Sequence, residues 1–220
     1  MNRLVQIGML QSLVSSPEAL VSRLNHMADH ETVSREFAQE VKTVASRIPI
    51  TSKLKGLGIL IEDLKTERPQ DWRVVIFTRW LETQTSIQCF LEKEGIHYGV
   101  INGGTASRNQ ETIAKFSKEH PEINVIISTE AGSEGVNLQV ANVLVNYDLP
   151  WNPMIVEQRI GRIQRLGSNH EKVCIFNIVL KNTFEGHIVG CLMEKLQMAS
   201  HAIGDIDSLL EAACASGEEG

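Results

Sequence analysis

Arginines and a glutamine near residue 160 have the chemistry and spacing of an anion-binding site. Gln158, Gly161, Arg162 and Arg165 fall within about 100° of arc on one face of a helix. The planar guanidinium group matches phosphate oxygens and remains charged at any relevant pH. Neither Arg162 nor Arg165 has an acidic partner four residues earlier. A solvated basic face commonly explains such a run, but the Gln-x-x-Gly-Arg-x-x-Arg spacing after a strand favours phosphate binding.

A second segment, from Ser128 to Leu138, contains small residues, hydroxyls and two glycines directly after an apolar run. Such residues allow backbone N–H groups to approach an anion closely. An ordinary strand-to-helix turn with capping hydroxyls would have the same composition. This segment alone does not decide between the two interpretations.

Other motifs that would complete a nucleotide or metal site are missing from the sequence. The nearest approach to a phosphate loop, Gly99 to Thr105, has the glycine spacing without the lysine. Asp148 follows an apolar run as a magnesium-binding acid would, but no phosphate loop accompanies it. His26 and His30 are four apart without a visible third ligand, so a structural role is favoured and no metal site is predicted. The chain is therefore not expected to assemble a complete nucleotide-hydrolysing centre by itself.

Composition limits the possible partners. The 220 residues include 21 Lys plus Arg against 27 Asp plus Glu, a formal net charge of −6. Because this balance disfavours nucleic-acid binding by bulk electrostatics, any such contact must be local or shared with a larger assembly. No apolar run approaches the ~20 residues that span a bilayer, and neither a secretory signal nor a CxxC pair is found. We expect a cytosolic globular protein without membrane contact.

Alternating strands and helices must position the candidate residues. Apolar runs predict five strands, at 74–77, 98–101, 125–127, 143–145 and 173–179. Helical patterns predict intervening helices over 81–94, 108–119 and 153–166, the last starting with Asn152 as N-cap and Pro153. This alternation is typical of an α/β fold with a parallel sheet, helices on both faces and ligands at the carboxyl ends of the strands.

The flanking regions are predicted to be helical. Residues 1–66 show only helical signals, with helix starts at Ser16-Pro17-Glu18 and near Ser52 and a helix over about 32–47 between them. Closing helices are predicted over 184–201 and 205–213, followed by a frayed tail.

Five segments resemble, in order and spacing, successive motifs of superfamily-two helicases. They are Phe77–Trp80, Asn102–Gly104 with Arg108 and Phe116, Ser128–Gln139, Asp148–Pro153 and Gln158–Gly167. The runs Glu134–Gln139 and Asp148–Pro153 are particularly similar to the Swi/Snf branch in its bacterial and archaeal form. The resemblance covers about residues 52–180. Ser168 departs from it, since the family often has glutamine there.

The resemblance implies a three-layer RecA-like fold with an N-terminal helical extension. By this analogy residues 1–50 are a helical insertion or linker segment, 51–201 are the C-terminal helicase lobe, and 202–220 are a C-terminal helix and tail. In the family, a first lobe carries the phosphate loop and the magnesium-binding acids, and the second lobe supplies arginines across the cleft. The chain resembles the second lobe alone.

The resemblance also implies roles for single residues. Arg162 and Arg165 would be arginine fingers that counter charge on the transferred phosphoryl group of ATP, which is bound with Mg²⁺ chiefly by the other lobe. The further residues expected at the nucleotide are Gln158, Arg159, Glu134 and Gly135. The residues expected along a nucleic-acid backbone are Thr78, Arg79, Gly103, Gly104, Ser128, Thr129 and Asn137. Hydroxyls and backbone N–H groups would dominate these contacts, in keeping with an acidic protein.

Two functions from different classes follow. The first is the C-terminal lobe of an ATP-dependent double-stranded DNA translocase or remodeller, whose partners are the N-terminal RecA-like lobe of the same polypeptide and double-stranded DNA. The isolated chain would then be a monomer without ATPase activity, and the protein would be cytoplasmic and associated with the nucleoid. The alternative is a non-catalytic RecA-like module that binds nucleic acid or protein. An upstream Gly-Lys-Ser/Thr loop and Asp-Glu motif would favour the first, and a true start at Met1 the second.

Overall fold

A computed structural model describes residues 3–69, 71–103, 106–133, 136–164 and 173–190. Five parallel strands form one sheet in the order β2-β3-β1-β4-β5. The strands are β1 (Val74–Phe77), β2 (Tyr98–Ile101), β3 (Val125–Ser128), β4 (Val143–Asn146) and β5 (Cys174–Asn177). All five predicted strands are confirmed, although the last is shorter than the apolar run 173–179.

Eight helices are bounded within the described ranges. They are α1 (Arg3–Ser15), α2 (Pro17–Asp29), α3 (Arg35–Ala45), α4 (Ser52–Glu67), α5 (Leu81–Lys93), α6 (Ala106–Phe116), α7 (Glu130–Ser133) and α8 (Pro153–Ile163). Residues 184–190 are also helical. The short helix α7 was not predicted, whereas the remainder of the predicted helix 184–201, the helix 205–213 and the tail lie outside the described residues.

Helices cover both faces of the sheet because successive strand side chains point to opposite sides. Val74 and Ile76 of β1 lie in a core with α4 and α5, to which Leu57 and Ile87 contribute. Val75 and Phe77 lie in a second core with Phe116 of α6 and Ile163 of α8. The expected parallel sheet between two helical layers is therefore confirmed.

The N-terminal helices attach to the lobe through α2 and α5. The predicted start of α2 is confirmed, since Ser16 Oγ accepts a hydrogen bond from Ala19 N at 3.0 Å and Pro17 follows. Thr83 Oγ1 of α5 donates to Ser16 Oγ at 2.9 Å and lies 2.7 Å from Ser15 Oγ. The boundary predicted near residue 50 stays a prediction. No helix within the described ranges is long and apolar enough to cross a membrane.

Candidate functional site

The carboxyl ends of β1, β3 and β4 lie side by side, since β1 is the central strand between the other two. The turns that follow these strands begin at Thr78, Thr129 and Tyr147. Helix α8 starts from the last of these turns, where Asn152 Oδ1 accepts from Met154 N at 3.1 Å. This edge of the sheet therefore holds most of the residues that the sequence singled out.

Arg159 is buried within this edge, with only 2% of its surface exposed. Its Nε donates to Glu130 Oε1 at 2.9 Å, and Nη2 bonds to the same oxygen. Its Nη1 donates to Asn146 Oδ1 at 2.5 Å and to the carbonyl oxygen of Asp148 at 3.0 Å. The guanidinium carbon lies 5.0 Å from the centre of the Phe77 ring.

All three guanidinium nitrogens of Arg159 have acceptors within the lobe, and its expected contact with the nucleotide stays a prediction. Burial lowers the pKa of Arg159, and the nearby charge of Glu130 opposes that shift. The ion pair also neutralises the charge of this arginine, which lies three residues before Arg162. Helical spacing could not identify Glu130 as the partner, because it lies 29 residues before Arg159 in the chain.

Asp148 organises the turn after β1. Its Oδ2 accepts a hydrogen bond from Thr78 Oγ1 at 2.6 Å and another from Arg79 N at 2.9 Å. Thr78 is completely buried, and its expected contact with a nucleic-acid backbone stays a prediction. Arg79 is exposed, its Nη1 donates to Gln11 Oε1 at 2.9 Å, and its guanidinium lies 5.5 Å from the Trp80 ring.

The side chains of Ser128 and Thr129 are less exposed to solvent than expected. Ser128 is fully buried as the last residue of β3, and its hydroxyl donates to the carbonyl oxygen of Thr129 at 3.0 Å. The expected contact of Ser128 with a nucleic-acid backbone stays a prediction. Thr129 is 8% exposed, which leaves little of its side chain accessible.

The turns after β2 and β3 contact each other closely. A Cβ on Gly132 would lie 2.4 Å from the carbonyl oxygen of Ile101, so only glycine fits there. A Cβ on Gly103 would lie 3.2 Å from Ala131 Cβ. Gly103, Ala131 and Asn137 are exposed, and Asn137 Oδ1 accepts from Gln139 N at 3.1 Å. The accessible part of this edge is thus backbone and small side chains.

The flank of α8 beside the core carries Gln158 and Gly161, both exposed, and Arg162, which is half-buried. Within the described ranges the Arg162 side chain has no hydrogen-bonding or ion-pair partner. Its carbonyl oxygen accepts from Leu138 N at 3.1 Å, which joins the segment after β3 to the end of α8. Arg165, Glu134, Gly135 and Gly104 lie outside the described residues.

A mostly apolar cleft of about 420 Å³ lies between α1 and the turns after β1 and β4. Trp151 and Phe184 stack in its wall, with ring centres 6.0 Å apart and an interplanar angle of 26°. Arg79, Asp148 and Glu185 also line it, whereas Gln158 and Arg162 do not. Glu130 and Arg159 line it too, so the cleft reaches α8 without reaching Arg162, and the sequence did not reveal it.

A buried ion pair borders this cleft. Lys53 Nζ lies 2.6 Å from Glu185 Oε1 and donates to the carbonyl oxygen of Tyr147 at 3.0 Å. Glu185 Oε2 accepts from Leu180 N at 2.9 Å. The two side chains are 2% and 4% exposed. Sequence analysis missed this pair too, because its members come from the two ends of the lobe.

Metal ligands are sparse in the described parts of the chain. No group of three or more His, Cys, Asp or Glu residues there could hold a metal ion. The rings of His26 and His30 contact each other, with their centres 4.6 Å apart.

Comparison with known proteins identifies the family. The model of the helicase conserved C-terminal domain matches residues 52–167. The chain is 37% identical over 201 residues to the uncharacterized ATP-dependent helicase YqhH of Bacillus subtilis, covering 89% of this chain and 34% of that protein. It is 38% identical over 114 residues to the RNA polymerase-associated protein RapA of Vibrio vulnificus, a match that covers 51% of this chain and 12% of RapA.

The solved structure of the C-terminal part of the Fun30 ATPase domain has the same fold. Its TM-score is 0.56 at 21% sequence identity, over 70% of this chain and 52% of that one. The chain thus spans about a third of the Bacillus relative's length and a smaller share of RapA. The expected RecA-like fold and the resemblance to a Swi/Snf-type, superfamily-two lobe are confirmed. The chain belongs to the family of helicase C-terminal domains.

Proposed function

We propose that the chain is the C-terminal lobe of an ATP-dependent double-stranded DNA translocase of the remodelling type. In this proposal Arg162 and Arg165 act as arginine fingers on ATP bound by the N-terminal RecA-like lobe of the same polypeptide. The observation that carries it is the contrast on α8: Arg159 is fully engaged inside the lobe, whereas Arg162 has no side-chain partner among the described residues. The Bacillus subtilis relative named as an ATP-dependent helicase supports the use of ATP.

The chemistry of Arg162 suits this role. Negative charge spreads over the phosphoryl oxygens in the transition state of phosphoryl transfer, and a positioned guanidinium stabilises it. A side chain without an internal ion pair can turn toward a phosphate without leaving a buried charge behind. Gln158, one helical turn earlier and exposed, is suited to orient the same group.

ATP and Mg²⁺ would be held mainly by the other lobe. The sequence has no phosphate loop, and the described residues include no acidic cluster that could hold a metal ion. When bound, Mg²⁺ would neutralise charge on the phosphates, while this chain contributes the opposing guanidinium groups. We therefore expect the 220-residue chain alone to hydrolyse no appreciable ATP.

Double-stranded DNA would contact the exposed edge formed by Gly103, Ala131, Asn137 and Arg79. Backbone N–H groups in glycine-containing turns can bind phosphate oxygens without a large basic surface. This mode of contact suits a net charge of −6. In a bacterial or archaeal cell the protein would accordingly be nucleoid-associated in the cytoplasm.

The test uses the full-length polypeptide and measures ATP turnover with and without double-stranded DNA. We expect Arg162→Ala to lower turnover by about 10³-fold or more, with DNA binding nearly unchanged. Arg47→Ala, at an exposed arginine outside the site, is the control and should hydrolyse ATP at the wild-type rate. An Arg162→Ala protein with the wild-type rate would contradict the catalytic assignment.

The same experiment separates the alternative function. A full-length protein that binds DNA but hydrolyses no ATP would be a non-catalytic binding module. Stimulation by RNA and not by duplex DNA would overturn the proposed substrate while leaving the ATPase assignment intact.

A further inference from the structure

Glu130 occupies a junction between two parts of the candidate site. It is the first residue of α7, directly after Thr129, and its carboxylate bonds two nitrogens of Arg159. The Glu130 side chain is 42% exposed, whereas that of Arg159 is 2% exposed. The ion pair thus connects an accessible turn to a fully buried cation.

On one side of this ion pair lies the proposed nucleic-acid edge. Ala131 and Gly132, the next two residues of α7, lie against Gly103 in the turn after β2 and against Ile101 at the end of β2. On the other side lies the proposed nucleotide flank, because Arg159 precedes Arg162 by less than one turn of α8. The Glu130–Arg159 ion pair is therefore a direct contact between α7 and α8.

The buried charge of Arg159 favours keeping its ion pair with Glu130 intact. The other partners of the Arg159 guanidinium, the Asn146 amide and the Asp148 carbonyl, are neutral oxygens. Within the described ranges, Glu130 is the one carboxylate that bonds this buried cation. Because an uncompensated buried charge is costly, Arg159 must stay with Glu130 when α7 moves.

We propose that the Glu130–Arg159 ion pair is a positioning element that couples nucleic-acid contact at α7 to the orientation of Arg162. Glu130 is then a positioning residue: it touches neither ATP nor DNA and acts through Arg159. This inference rests on the proposed function. It predicts that the pair governs how strongly DNA accelerates ATP hydrolysis.

The test compares Glu130→Gln with wild type in the full-length protein. Glutamine keeps the size and the hydrogen-bond acceptor but loses the charge. We expect the basal rate and the KM for ATP to stay unchanged, while the acceleration by double-stranded DNA falls about tenfold, within the range of typical coupling energies. The DNA concentration that gives half-maximal acceleration should stay the same.

Two further variants make the result specific. Glu157→Gln makes the same substitution at an exposed position of α8 and should leave the acceleration unchanged. Glu130→Asp retains the charge on a shorter side chain and should restore part of the acceleration lost in Glu130→Gln. If Glu130→Gln proves unstable in thermal unfolding, Glu130→Asp carries the test, with acceleration below wild type at an unchanged basal rate as the expected result.

The outcomes separate this inference from the proposed function. A wild-type protein without DNA-accelerated ATPase activity would overturn the proposed function itself. Wild-type acceleration that persists fully in Glu130→Gln or, if that variant is unstable, in Glu130→Asp would overturn the coupling alone. Equal losses of basal and DNA-accelerated rates would also overturn it, because they would indicate a merely structural role.

Discussion

Lys53 and Arg159 donate hydrogen bonds to the carbonyl oxygens of two consecutive residues, Tyr147 and Asp148, at 3.0 Å each. Lys53 belongs to α4 on one face of the sheet, and Arg159 belongs to α8 on the other. Both cations are buried and paired with a carboxylate. The turn after β4, from which α8 begins, is therefore held from both sides of the sheet.

Removing one partner of the Lys53–Glu185 ion pair should strongly destabilise the protein. Lys53→Met leaves the Glu185 carboxylate buried without a cation, so we expect a loss of about 3–5 kcal/mol in the free energy of unfolding. Lys53→Met with Glu185→Leu should recover part of that loss, because no charge then remains buried. Urea unfolding of the 220-residue chain measures both. Lys55→Met, at an exposed position of α4, is the control, and equal effects at residues 53 and 55 would contradict the prediction.

Substituting Arg159 should destabilise the fold much more than substituting Arg162. Arg159→Ala leaves the Asn146 amide oxygen and the Asp148 carbonyl without their buried donor, so we expect a loss of about 1–3 kcal/mol. Arg162→Ala removes a side chain without a described partner, and its effect should stay within about 0.5 kcal/mol. Denaturant unfolding of the two variants decides the matter, and a reversed order would refute the assignment of Arg159 to the interior.

Gly132 should tolerate no side chain. A Cβ there would lie 2.4 Å from the Ile101 carbonyl oxygen, so Gly132→Ala must push α7 away from β2. We expect destabilisation by about 1–3 kcal/mol, as for other overpacked sites. Gly56→Ala, in the middle of α4 with open space around its Cβ, should instead stabilise by about 0.5–1 kcal/mol. Thermal unfolding of the two alanine variants tests the contrast, which would fail if both changes had the same sign.

Tyr98 should ionise late in an alkaline titration. Burial, with a hydrogen bond to Glu92 Oε1 at 2.6 Å, raises the pKa of Tyr98 to about 12. An unfolded tyrosine has a pKa of about 10. Because the pKa of Tyr98 is higher in the folded protein, its protonated form contributes to the free energy of unfolding. This contribution is complete below pH ~10 and is lost as the pH rises from about 10 to 12.

Ultraviolet absorbance of the phenolate measures this titration. Glu92→Gln removes the charge of the acceptor and should lower the pKa of Tyr98, whereas Glu94→Gln at an exposed neighbouring position should not. Burial also raises the pKa of Tyr147, the second tyrosine of the chain. Ionisation of both tyrosines near pH 10 in the folded protein would therefore disprove the expectation.

Local sequence patterns determined the elements of this fold. The short apolar runs are strands because both faces of a parallel sheet are buried, and they could be located without knowing their neighbours. Asn152 and Pro153 mark the start of α8 because capping depends on the adjacent residues alone. Helical periodicity likewise places Gln158, Gly161 and Arg162 along one flank.

Only the tertiary structure decided which of the polar residues are accessible. Glu130 meets Arg159, and Asp148 meets Thr78, across turns that follow different strands. The order of the strands in the sheet makes these residues neighbours, and this order cannot be predicted from helical or strand periodicity. Arg159 and Arg162 have the same chemistry on the same helix, yet burial makes one a structural cation and leaves the other without a described partner.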